Sequence, residues 1–487
     1  MIKRNVEAEM EQDTILGIAP VLPNERKYGF WDFFLMISGY AIATWCYTQG
    51  AYSAQLVNFK QMTLGTFGIS VLILPIVSLP VIMSVRYGID VWVWLKSIFG
   101  SNACKILAVA AVAANFPWYA VASSMFGTSM ANLLKFAGVD LDPKFYPLLG
   151  CCSIIIGTLI ALAGNNAIRR MTRIMVPAML GVGVIVVIIA LTSVPMSDII
   201  AYQPDTSSFS HPLEGYMVAG EGIIAFSFSW TAAMFVMPRL CKKEKSGFWA
   251  TTLSYGVVAP FFIFAGGVMA IALFVKTGTY AEDPTYILAQ LASPAVALLS
   301  LVLVGFANIG TQAVGSNMNA IVLKSAFPKV KYSTMVIILG VYVGLLTIWD
   351  QVVTYFGSFL AIETYLYAPM MSILFVDFFF LKKQKISLRD AYQLDGAEKS
   401  KYKFHRGFNL VGLFCLAIGV VCGCLVFNPI TGSIHSDIFY YVSGSGVTFV
   451  SAGVLYFLIC QIPAVKKYMG FAAAEKGEET SSGSTAE

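Results

Sequence analysis

Two carboxylates stand inside apolar runs: Glu363, in Ala361-Ile362-Glu363-Thr364-Tyr365, and Glu221, nine residues before Trp230. Withdrawal from water penalises the charged form, so an ionisable group at membrane depth is a functional candidate. Each is read as a candidate proton carrier. The plainer alternative is a neutral acid bonded to a nearby backbone or hydroxyl group, and the sequence leaves both open. If its segment is helical, Glu221 lies roughly 13 Å outward of Trp230. Asp32 and Asp377 fall at span ends, close to water, and are expected to be structural.

Tryptophan and amide groups form a second set. In Asn115-Phe116-Pro117-Trp118-Tyr119 the proline frees a carbonyl and kinks a helix. Trp118 and Trp230 near mid-depth could clamp a flat ligand, since stacking on an aromatic face contributes about 1–3 kcal/mol per base in nucleic-acid systems. A packing or interfacial role competes for each tryptophan taken alone. Ala307-Asn308-Ile309-Gly310-Thr311-Gln312 and Gly315-Ser316-Asn317-Met318-Asn319 crowd amides into one apolar run. Such amides must meet each other, a ligand or an ion.

These residues must be positioned by helices in lipid. The chain has 487 residues, 57% hydrophobic and 12% charged, with mean hydropathy +0.73, which excludes a soluble globule. Apolar runs able to cross a bilayer occur near 31–55, 64–85, 103–134, 146–163, 173–193, 216–238, 249–275, 293–323, 333–349, 352–380, 407–427 and 437–461. With both termini inside, the intervening segments leave only Lys60, Lys135, Lys144 and Lys276 of the 32 Lys and Arg outside. That alternation supports twelve spans with cytoplasmic termini. It also accounts for the net charge of +5 without nucleic acid. The nine cysteines lie almost wholly in apolar runs and read as packing residues, and three scattered histidines disfavour a metal enzyme. Residues 1–29 are polar and carry no short apolar core, so no cleaved signal peptide is expected.

Irregular backbone at mid-membrane depth survives only where it lines a cavity. Ser38-Gly39-Tyr40-Ala41-Ile42-Ala43-Thr44-Trp45 in span 1 and Ala225-Phe226-Ser227-Phe228-Ser229-Trp230-Thr231 in span 6 place small polar interruptions five spans apart. That spacing suits an inverted-repeat secondary transporter, with freed carbonyls and half-helix ends holding ion and substrate. The competing reading is that these Ser and Thr side chains bond back to their own helices.

From about Trp31 to Lys382 the ordered elements resemble the nucleobase:cation symporter family, which includes cytosine and purine permeases and hydantoin, allantoin and uracil transporters. The resemblance rests on Arg86-Tyr87-Gly88 with Lys96 and Phe99-Gly100, and on Pro117-Trp118-Tyr119. It extends to Gly164, Ala167 and Pro177-Ala178, then Pro369 with Asp377-Phe378 and Lys382-Lys383. It implies an all-α membrane fold of five-plus-five inverted repeats, with discontinuous spans 1 and 6 and spans 11 and 12 appended. It also implies symport of a planar heterocycle with a cation, proton or sodium, and no cofactor.

By the same resemblance Trp118 and Trp230 sandwich the substrate ring, beside Ser229. Ala122 stands where some members carry a substrate-binding glutamine, leaving Gln49, Gln312, Ser316 or Asn317 to read the polar edge. The sodium ligands of the family correspond to Gly39 to Ile42, Ala307, Gly310 and Thr311, with one hydroxyl replaced by Gly310. Span 6 keeps only Arg239 of the family's Asp-x-x-Arg.

The expected organisation is a cytoplasmic segment 1–29, repeats 30–193 and 194–381, a cytoplasmic loop 382–406, spans 11 and 12 in 407–464, and a disordered tail 465–487. The expected location is the plasma membrane; oligomeric state and the identity of the heterocycle are not legible. Two alternatives remain: an amino-acid or amine transporter of the same fold, against which Trp118 argues, and a non-transporting sensor or channel. An integral-membrane enzyme is disfavoured because no nucleophile constellation or His cluster appears.

Overall fold

The computed structural model describes residues 19–471, except 235, 350 and 394–398. The described residues are helical, with no strand beyond the isolated bridges Tyr28–Cys241 and Phe427–Ile434. Eight helices are long and apolar enough to cross a membrane, two apolar helices are shorter, and the segments 30–56 and 214–234 are interrupted.

The first interrupted segment is α1 (Phe30–Ala41) and α2 (Thr44–Leu56). Between them Ile42 and Ala43 are extended, at φ/ψ of −93°/100° and −143°/165°. The Ile42 amide closes α1 on Ser38 O at 2.9 Å. Ala41 O accepts from the Cys46 thiol at 3.2 Å, so the break exposes backbone acceptors inside the bundle. α3 (Phe59–Ser78) starts with a reciprocal cap between Asn58 and Gln61, and α4 (Val81–Tyr87) continues it past Pro80. α5 (Val91–Phe99) leads to α6 (Ser101–Asn115) and α7 (Pro117–Phe136), divided at Phe116–Pro117 as the proline requires. α8 (Tyr146–Leu162) and α9 (Asn165–Ser193) complete the first half.

α10 (Glu214–Ser229) stops one residue before Trp230, and α11 (Thr231–Met234) adds a single turn. α12 (Glu244–Leu253) and α13 (Ala259–Thr277) are joined by a π-helical turn, Ser254–Val258, whose Tyr255 is buried against Trp230. α14 (Pro294–Ala326), α15 (Tyr332–Ile348) and α16 (Phe356–Phe375) follow, then α17 (Leu410–Val426) and α18 (Gly444–Ile459).

Small residues set the closest helix contact, as is common in lipid. A Cβ on Gly50 of α2 would stand 1.7 Å from Ile263 O of α13, and one on Gly266 would stand 2.1 Å from Tyr47 O. Only hydrogen fits at either position.

Two expectations need correction. Asp377 is not at a wet helix end. It is fully buried, pairs with Lys382 Nζ at 2.7 Å, and accepts from Trp94 Nε1 at 3.2 Å and Tyr456 OH at 3.0 Å. Ser97 Oγ accepts from the same ammonium at 2.8 Å, so the terminal turn of span 10 is tied to α5 and α18. The tail is not disordered from residue 465: Pro463–Tyr468 is helical, and Met469 is buried where its Sδ accepts from Asn409 Nδ2. Residues 472–487 lie outside the described residues.

Candidate functional site

The break between α1 and α2, the proline break between α6 and α7, and the end of α10 meet at one cavity. Its wall is Tyr40, Trp45, Asn115, Trp118, Tyr119, Ser229 and Trp230. At about 10 Å³ it admits about one water, so the rings have closed on one another. Trp118 meets Trp45, Phe226 and Phe356 edge-on at 5.3, 5.3 and 4.9 Å. Trp230 lies face to face with Tyr255 at 4.6 Å and meets Tyr40 and Phe226 edge-on. The two tryptophans named from sequence therefore share one box, bridged by Phe226 and Trp45.

Glu363 stands directly behind this wall, fully buried on α16. Trp118 Nε1 donates to its Oε2 at 2.5 Å and Asn115 Nδ2 to its Oε1 at 2.8 Å. The bonding continues away from the carboxyl. Asn319 Nδ2 lies 3.2 Å from Asn115 Oδ1, 3.2 Å from Tyr119 OH and 3.0 Å from Gly315 O. Tyr119 OH meets Tyr40 OH at 2.6 Å. A continuous polar chain thus runs from Glu363 on α16, through Asn115 at the end of α6, Asn319 on α14 and Tyr119 on α7, to Tyr40 near the break between α1 and α2.

Glu221 belongs elsewhere. Its carboxylate accepts from the Ser445 amide at 3.1 and 3.2 Å and from Ser445 Oγ at 2.5 Å. It caps the N-terminus of α18, where a negative group is favoured.

The other sequence-named residues divide. Ser229 lines the cavity and donates to Phe226 O at 2.8 Å. Gln49 packs against Gly222 of α10, and Gln312 against Gly157 of α8. Among the described residues Ser316 is bonded to the Gln312 amide alone, at 3.5 Å, and Asn317 Oδ1 accepts from Tyr332 OH at 2.7 Å. None of these four lines the cavity. Tyr40, Trp45, Asn115 and Tyr119 line it instead, with Tyr255 stacked on Trp230 and Asn319 bonded to Asn115 and Tyr119. All but Tyr255 fell inside the stretches singled out by sequence; Tyr255 left no signal there.

At the candidate cation site Thr44 Oγ1 donates to Asn308 Oδ1 at 2.9 Å, joining the start of α2 to α14. Ile42 and Ala307 are buried nearby in chain, at the break and beside Asn308. Among the described residues the buried Thr311 Oγ1 and Asn308 Nδ2 lack a protein partner. Gly39 and Gly310 both face α9. A Cβ on Gly310 would stand 1.8 Å from Met175 Sδ, and one on Gly39 2.4 Å from Val176 Cγ2. Consecutive α9 side chains therefore fill both places.

Beyond them lies a larger cavity of about 110 Å³, lined by Tyr28, Asp32, Leu35, Met36, Thr172, Arg173, Val176 and Pro177. It opens at the N-terminal end of α1, with Val176 on the side facing Gly39.

This architecture has solved counterparts. Mhp1, a nucleobase-cation-symport-1 family transporter in a closed conformation with bromovinylhydantoin bound, matches with a TM-score of 0.71 and 19% identity, over 93% of this chain and 99% of that one. The inward-facing conformation of Mhp1 matches with a TM-score of 0.73, again at 19% identity, over 94% and 93%. The fold is therefore the inverted-repeat one expected. The hydantoin permease of Microbacterium maritypicum is 22% identical over 360 residues, 70% of each chain. The family described as permeases for cytosine/purines, uracil, thiamine and allantoin matches residues 20–442, and the chain belongs to it.

Proposed function

We propose that this protein imports a planar nitrogen heterocycle by proton symport, alternating access to the aromatic cavity between the two faces of the membrane. In this reading the chain crosses the plasma membrane twelve times with both termini cytoplasmic, ten times in the repeats 30–193 and 194–381 and twice in 407–464. The observation that carries the reading is the convergence of three interrupted helices on a box of aromatic rings backed by a buried carboxyl. Opening of the box, by separation of Trp118 and Trp230 from Phe226 and Trp45, makes room for a flat ring between indole faces. The cavity at the N-terminal end of α1 is the route to the cytoplasm, and Gly39 against Val176 is its constriction.

Glu363 is the proton site. Its donors are neutral side chains that also wall the cavity, so its charge and the substrate share Trp118 and Asn115. The titratable side chains within its field are Tyr40, Tyr119 and Tyr367. Met175 beside Gly310 supports protons over sodium, because a thioether is a poor ligand for a hard cation. One proton per substrate suffices, since a unit charge crossing 100 mV releases about 2.3 kcal/mol. The test is uptake of labelled uracil and hydantoin into proteoliposomes under an imposed pH gradient, with sodium or choline as the only salt. Uptake that follows the pH gradient and ignores sodium supports the reading; strict sodium dependence overturns the proton assignment.

A further inference from the structure

The two indoles assigned to the substrate faces share their flanking rings. Trp45 lies 5.3 Å from Trp118 and 6.4 Å from Trp230, and Phe226 lies 5.3 Å from Trp118 and 5.2 Å from Trp230. The four rings form a closed circuit, with Trp45 and Phe226 opposite each other. A flat ring held between Trp118 and Trp230 is therefore bordered in its own plane by Trp45 on one side and Phe226 on the other. Trp45 is buried and lines the cavity, and its indole N–H has no acceptor among the described residues. An unpaired buried donor is costly, and a ligand atom that accepts from it removes that cost.

This border is held independently of the two indole faces. Trp45 sits on α2 and Phe226 on α10, and one turn beyond each of them the helices touch through Gln49 and Gly222. A Cβ on Gly222 would stand 2.5 Å from Gln49 Nε2. Thr44 ties the first turn of α2 to Asn308 of α14, and Tyr119 backs the Trp45 ring at 5.8 Å. Parting Trp118, on α7, from Trp230 thus opens the space between the faces without widening the border. Because each lies 5.3 Å from Trp118, the Trp45 and Phe226 ring centres are at most twice 5.3 Å apart. Less one carbon contact distance of about 3.5 Å for the half-thickness of both walls, the slot is at most about 7 Å wide. With the same allowance a six-membered ring has an outline of about 6.5 Å, whereas a fused five- and six-membered pair reaches about 9 Å. In the other in-plane direction lie Tyr40, bonded to Tyr119 before the helix break, and the Gln49–Gly222 contact one turn past Trp45.

We infer that Trp45 is a substrate-contacting residue that limits the site to single-ring heterocycles and excludes fused bicyclic ones. The inference rests on the proposed heterocycle transport and adds to it the size of the ring carried. Xanthine presents the dioxo edge of uracil on a ring fused to a second one, so the pair differs in length while sharing that edge.

The experiment is a binding series on the purified full chain in detergent, read by thermal shift and by displacement of labelled uracil. The ligand pairs are uracil against xanthine and 4-pyrimidinone against hypoxanthine, with hydantoin as a further single ring. The expected result is affinity for each single ring at least tenfold above its fused counterpart. Trp45→Ala removes the border and should bring xanthine within a few-fold of uracil. Trp45→Leu keeps more of the packing against Tyr119 and should shift the ratio in the same direction if the alanine variant does not fold. Xanthine binding as tightly as uracil in the wild-type protein, or an unchanged ratio in a folded Trp45 variant, overturns the inference and leaves heterocycle transport standing. Failure of every ring in the series to bind overturns both.

Discussion

Replacing Glu363 by glutamine separates binding from coupling. The side chain keeps its size, but one acceptor oxygen becomes an amide that itself donates. Asn115 Nδ2 and Trp118 Nε1 now approach Oε1 and Oε2 at 2.8 and 2.5 Å, and the amide can accept only one of them. A hydrogen bond to a charged group contributes about 1.5–3 kcal/mol, so the variant loses roughly that much. This lies inside the usual folding stability of about 5–15 kcal/mol, and the protein should still fold. Coupling responds differently. One pH unit corresponds to about 1.36 kcal/mol per proton, a tenfold accumulation for one proton per neutral substrate. In proteoliposomes with labelled uracil inside and out, the wild-type protein should concentrate substrate about tenfold per unit of imposed gradient. Glu363→Gln should equilibrate substrate to the same level on both sides and still catalyse exchange. Accumulation by the variant that follows the pH gradient as in wild type would refute the assignment of the proton to this carboxyl.

Trp118→Ala and Trp230→Ala should each abolish uracil and hydantoin uptake while leaving monodisperse protein in gel filtration; transport by both variants at wild-type rates contradicts the aromatic box. Asp377→Asn leaves the Lys382 ammonium without its carboxylate partner in a fully buried site, and should cost about 3–5 kcal/mol, seen as a large drop in thermal stability. An unchanged melting temperature would show that the pair is dispensable. Gly50→Ala drives a methyl to 1.7 Å from a backbone carbonyl of α13, and should block folding, whereas Gly68→Ala, whose added methyl meets nothing within 4 Å, should leave expression intact. Glu221→Gln should lower stability through the weakened cap on α18 but leave the pH dependence of uptake unaltered, and a shifted pH profile would return this residue to the coupling path.

Much of the fold was legible because lipid simplifies the code. Apolar runs of sufficient length and the proline at position 117 report locally on where helices begin, end and break. The interruption in span 1 fell at Ile42–Ala43 and that in span 6 at Trp230, both within the stretches expected. The readings that failed needed partners distant in the chain. Asp377 looked like a wet helix end because nothing near it in sequence announces Trp94 and Tyr456. Gln312, Ser316 and Asn317 were chosen by composition, but a helix turns 100° per residue, and composition says nothing about which flank faces the cavity. Asn319 reaches the wall residues Asn115 and Tyr119 from behind, while Gln312 turns to α8 and Asn317 to Tyr332.

The two carboxylates make the same point more sharply, since by sequence they were equivalent. Glu221 is held by a helix N-terminus, including a backbone amide that cannot rotate away. Glu363 is held by an indole and a side-chain amide that line the cavity. In the proposed transport cycle those donors move as the cavity opens. An Asn amide can also turn to offer its oxygen instead of its nitrogen, so Asn115 can serve the carboxylate by donating and the protonated acid by accepting. The turn reverses the sense of its bond to Asn319, and through Tyr119 it reaches Tyr40 beside the helix break. A proton at Glu363 can therefore alter the wall that the substrate meets, whereas a proton at Glu221 would only loosen a cap. Coupling requires that ion and substrate bias the same moving element, and of the two acids only Glu363 is bonded to one.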